Sequence, residues 1–139
     1  MPAVRRDKVK LMRVTILLAA IAIWVSQAAI ADVRHAGFPK SLQGTWVPSD
    51  ELCRDDGKSR IVISERRVVG PKGDCAVDYV AETAAPAGPF YSGHGSCSDR
   101  EQPDKKSIMN LVVQPRSDAR ALFGMTLDSL TEYQRCGAQ

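Results

Sequence analysis

"CAVDYVAE", Cys75 to Glu82, changes character at every second residue. Cys75, Val77, Tyr79 and Ala81 share one face, while Asp78 and Glu82 share the other, the pattern of a strand buried on one side and solvated on the other. Such a strand needs partners along both edges, and the flanking sequence supplies them. Immediately upstream, Pro71-Lys72-Gly73-Asp74 is a turn by composition. Before it, Arg60 to Ser64 (RIVIS) is rich in β-branched residues, and Val68-Val69-Gly70 reads as the second arm of a tight turn through Glu65-Arg66-Arg67. Further back, Gly44-Thr45-Trp46-Val47 opens a strand that Pro48-Ser49-Asp50 closes.

The downstream half repeats this alternation of strand and turn. Thr83 to Pro89 (TAAPAGP) is too rich in proline and alanine to pair, and reads as a surface loop. Phe90 to Cys97 returns as a strand, and Ser98 to Lys106 (SDREQPDKK) is a charged loop. Ser107 to Gln114, Arg120 to Leu127 and Leu130 to Cys136 complete the set. Six to eight short strands at fairly even spacing predict an all-β fold, a small antiparallel β-barrel or sandwich. No stretch sustains a helical period, so one short helix near Ser49 to Asp55 is the most the pattern allows. The apolar residues expected inside are Trp46, Ile61, Ile63, Val77, Tyr79, Tyr91, Leu111, Val113, Phe123 and Met125.

The N-terminus has a different character. Arg5, Arg6, Lys8, Lys10 and Arg13 precede an uncharged apolar run from Val14 to Val25, and Ala29-Ile30-Ala31 offers small residues for cleavage before Asp32. These are the three parts of a Sec-type signal peptide covering residues 1–31. Its apolar run is about a dozen residues, against the roughly 20 a spanning helix needs. The compact start at Met12-Arg13 competes with Met1 as the point of initiation. Cleavage after Ala31 leaves 108 residues, enough for one domain and too few for two. Residues 32–43 read as a flexible lead-in and residues 44–139 as the single β domain.

Export also changes the charge argument. The net charge of the whole sequence is +3, but the part after Ala31 holds fourteen basic against fifteen acidic residues. Nucleic acid therefore loses its electrostatic footing as a partner. All four cysteines, Cys53, Cys75, Cys97 and Cys136, lie in the exported part, and no C-x-x-C occurs among them. An even count in a short secreted chain predicts two disulfides. Two pairings remain open: Cys75 with Cys97 and Cys53 with Cys136, or Cys53 with Cys75 and Cys97 with Cys136.

Residues that could carry chemistry are few. His94 and Cys97 lie three apart in a strand, so they point to opposite faces, and the other histidine, His35, falls in the lead-in. Neither a metal site nor a Cys–His dyad is expected, and no cofactor. Gly93-His94-Gly95-Ser96 lacks the strand–turn–helix setting of a serine nucleophile. Asp55-Asp56 lies in a glycine- and lysine-containing loop without calcium-loop spacing. The candidate binding surface is the uncharged loop ending in Pro86, Pro89 and Phe90.

Gly44-Thr45-Trp46 resembles the G-x-W opening of lipocalin-like barrels. That resemblance implies that Trp46 plugs one end of a barrel and that a late arginine, Arg135, packs on it. Gly44-Thr45-Trp46, the four cysteines, "GPFYSGHGSC" and the terminal "YQRC" are also similar to a group of small exported proteins of rhizobium-type alphaproteobacteria. This second resemblance covers most of Gly44 to Cys136 and implies no activity. The reading reached from the sequence is a monomeric, non-enzymatic periplasmic or secreted barrel that binds a protein or envelope component. The alternatives are a carrier of a small apolar ligand, which requires an interior cavity of at least roughly 300 Å³, and a periplasmic enzyme inhibitor.

Overall fold

A computed structural model describes residues 32–54, 58–71 and 73–137. The signal-peptide reading and the Met1 or Met12 question therefore lie outside the described residues, as does Asp55-Asp56. The described chain is all-β. Nine strands run in order: β1 (Val33–His35), β2 (Gly44–Pro48), β3 (Ile61–Ser64), β4 (Arg67–Gly70), β5 (Gly73–Thr83), β6 (Phe90–Ser98), β7 (Lys106–Ser117), β8 (Arg120–Gly124) and β9 (Thr131–Cys136). From β2 to β9 each strand pairs antiparallel with the next, and β9 returns to pair with β2, so eight strands close into an up-and-down barrel. Closure pairs every barrel strand on both sides over part of its length. β1 is the ninth strand; it pairs with Val80–Glu82 of β5, beyond the part of β5 that β4 covers.

The alternation that identified β5 breaks in its middle. A bulge between Val77 and Tyr79 shifts the register against β6. Val77 is buried, and after the bulge the buried position is Val80, with no exposure at all. Tyr79, expected inside, is turned to the outer surface, where its ring stacks on His94 at 4.6 Å and Arg34 lies over it at 4.6 Å. One extra residue in a strand exchanges the faces of everything beyond it. The bulge also brings the strands close, since a side chain at Gly95 would overlap the carbonyl oxygen of Ala76.

The core contains Trp46, Ile61, Ile63, Val77, Val113 and Phe123, joined by Val68, Val80, Met109 and Ala121. Tyr91 and Leu111 are half-buried against it. Met125, expected inside, is 44% exposed, because β8 stops at Gly124 and the chain turns away. Residues 32–43 are not a loose lead-in. They contribute β1, then a 3₁₀ turn at Lys40–Leu42, and they bury Phe38 and Leu42 to 1% exposure. The Phe38 amide donates to the Glu65 carbonyl, and Trp46 Nε1–H donates to the Leu42 carbonyl at 3.0 Å. This segment plugs the barrel at the end formed by the β3–β4 turn, the β5–β6 loop and the β7–β8 turn.

No helix forms over the described part of Ser49 to Asp55; residues 49–54 are turn and coil. They fold back along the outside of β9, held by Ser49 N–H to the Glu132 carbonyl and by Gln134 Nε2 to the Glu51 carbonyl at 2.7 Å. Cys53 closes that path with a disulfide to Cys136. The second disulfide joins Cys75 and Cys97, which face each other directly across β5 and β6. Of the two pairings left open by spacing, this is the first. Disulfides of this kind belong to an oxidising, extracytoplasmic compartment, and no helix among the described residues is long and apolar enough to cross a membrane.

Candidate ligand cavity

At the end opposite the plug lies a cavity of about 430 Å³. Its wall is built from the mouth-side ends of β3, β4 and β5, from β7 and from the end of β8. Ile61, Val68, Met109, Leu111 and Phe123 supply apolar surface, with Tyr133 beside them. The Cys75–Cys97 disulfide forms part of the same wall. None of the described residues lining it is charged. Gly70, Gly73, Gly124 and Ser107 also belong to its lining, and the recess opens where β8 ends at Gly124.

Strand lengths decide how the cavity opens. β7 has twelve residues and β8 only five, so β8 covers β7 from Val112 onward. Over Lys106–Leu111, β7 pairs with β6 on one side and, among the described residues, with no strand on the other. Five consecutive residues, Ser107 to Leu111, line the cavity. A strand facing a cavity with one surface would present only alternate residues. An unbroken run means that the cavity follows the strand's free edge. Two apolar side chains stand exposed there, Ile108 at 87% and Met125 at 44%, and Leu127 follows in the β8–β9 connection at 54%. Asn110 Nδ2 donates to the Met125 carbonyl at 3.2 Å, just past the end of β8.

An aromatic row connects the cavity to the plug. Tyr133 packs on Phe123 at 4.9 Å, and Phe123 on Trp46 at 5.2 Å. Burial pushes the Tyr133 phenol above its ordinary range, and the charge of Glu51 adds to the effect. At the plugged end, burial likewise raises Tyr91, followed by the charge and hydrogen bond of Glu82. Glu82 Oε2 also meets His35 Nε2 at 2.7 Å, which ties β1 to the barrel rim.

The residues singled out from the sequence fall in three places. Arg135 lies over Trp46 at 4.8 Å and donates to the Ser41 carbonyl, so it clamps the plug. Gly44, two residues before Trp46, has a φ of +133°, a conformation that favours glycine. Pro86 and Pro89 are exposed and Phe90 half-buried on the β5–β6 loop, at the plugged end and away from the cavity. His94 is on the outer face with Tyr79, and Cys97 is inside in its disulfide. Among the described residues no three His, Cys, Asp or Glu side chains are grouped to hold a metal ion. The sequence reading left the cavity open, because periodicity reports which face is buried, not how far a neighbouring strand extends.

Comparison with protein-family models, curated proteins and solved structures returned no match. Fold and cavity therefore define the protein by class: a disulfide-bonded, eight-stranded up-and-down barrel, plugged at one end by its own residues 32–43 and open at the other to an apolar recess.

Proposed function

We propose that this chain is a non-enzymatic protein exported to the periplasm or beyond, which binds its ligand by taking an apolar group into the cavity. The observation that carries this is the recess itself: about 430 Å³, uncharged, and edged by exposed Ile108 and Met125. Its volume lies within the range of ligand pockets. Export is supported by the basic and apolar run before Ala31 and by two disulfides that an oxidising compartment favours. The G-x-W start with Arg135 over Trp46 supports a lipocalin-like relationship. Recognition through Pro86, Pro89 and Phe90 is the weaker surface, since those residues do not border the recess.

The test uses 1-heptanol as an apolar probe. Trp46 is the only tryptophan after Ala31 and contacts Phe123, a lining residue, so its fluorescence reports on the cavity. A saturable change is expected, together with a rise in thermal stability that approaches about 2.7 kcal/mol at a hundredfold excess over Kd. Val68→Phe should fill the recess and weaken the probe more than tenfold while the far-ultraviolet spectrum is kept. Failure of the unaltered protein to bind heptanol would remove the basis of this reading.

A further inference from the structure

The unpaired edge of β7 carries an inference about what the ligand is, one that rests on the cavity being the binding site. Along Lys106–Leu111 every second residue directs its backbone N–H and C=O away from β6, toward a side where no strand of the described residues lies. These groups are strong donors and acceptors spaced along about 20 Å of strand. An exposed strand edge is a template for a further strand. A compact apolar molecule can fill the recess but cannot match that row, whereas an extended peptide matches both, pairing by its backbone and inserting an alternate side chain into the pocket beside it.

We infer that the ligand is an extended peptide segment of another protein, which adds to the free edge of β7 in line with β8 and buries an apolar side chain among Val68, Leu111 and Phe123. Continuing the track of β8, it runs antiparallel to β7. Its C-terminal side then lies beside Lys105 and Lys106, which are exposed and enter none of the ion pairs found among the described residues. An acidic residue or a terminal carboxylate at that end complements them. Ile108 and Met125 flank the path and become covered.

Selection from a displayed random hexapeptide library against the oxidised protein, recovered from the periplasm of an expression host, tests this. Enriched peptides should carry large apolar residues at one position of a two-residue repeat and an acidic residue toward the C-terminus. The best of them should lose at least tenfold in affinity when alternate backbone amides are N-methylated, a change that removes ladder donors and keeps the side chains. Its binding should slow hydrogen exchange at backbone amides within Ser107–Leu111. Equal binding of the methylated peptide, protection elsewhere, or no enrichment while 1-heptanol still binds would overturn the peptide inference and leave the cavity reading standing. If neither peptide nor heptanol binds, both fall.

Discussion

Gly95 and Gly93 show how two positions in one strand carry different constraints. A side chain at Gly95 would overlap the Ala76 carbonyl, a backbone group that cannot move without breaking the β5 bulge, whereas one at Gly93 would meet the tip of the Phe38 ring. Gly93→Ala should therefore cost about 1–3 kcal/mol, the usual range for overpacking. Gly95→Ala should exceed that, and urea unfolding of the two variants gives the order. The half-buried phenols set a second expectation. Tyr91 and Tyr133 keep their protons to higher pH folded than unfolded. Their contribution is intact below pH ~10 and is lost as pH rises through the raised values. Unfolding measured between pH 8 and 12 should show this alkaline loss, and Tyr91→Phe with Tyr133→Phe should flatten it.

Elements in this fold are secured by different means. The Cys53–Cys136 bond spans 83 residues and the Cys75–Cys97 bond 22. By chain entropy their removal as serine pairs should cost about 4–5 and about 3 kcal/mol. Denaturant midpoints of the two double variants should follow that order. The plug is held by packing and hydrogen bonds instead: Phe38→Ala, which empties a site only 1% exposed, should cost about 3–5 kcal/mol. Most strands were legible because one-sided burial writes a period of two into the sequence, as in Cys75 to Val77 and in Phe90 to Cys97. The face of Tyr79 was not, since a bulge has no composition of its own in "VDYV". Phe38 and Leu42 were hidden for a different reason: isolated apolar residues in a polar, proline-containing stretch show no period at all. The premature end of β8, which exposes Met125 and makes the recess, follows from the turn after Gly124 rather than from hydrophobic pattern.

At the scale of the whole molecule the barrel has two unlike ends, a sealed one and an open one. Filling the recess by Val68→Phe should therefore change probe affinity, whereas Phe90→Ala at the sealed end should leave it within about twofold; titrations with heptanol compare them directly. The meander also sets an order of events. Every pairing along the barrel joins neighbours in sequence except the last, which brings Thr45 opposite Cys136. That contact closes the longest loop in the domain, so its entropic cost comes last and without local help. A chain that appears N-terminus first can lay down β2 to β8 in turn, but it remains an open curl with two unsatisfied margins until β9 arrives. The few residues from Thr131 to Cys136 thus act as the clasp of the fold, and the interval before they are in place is when the chain is most exposed to capture by proteases or by other copies of itself.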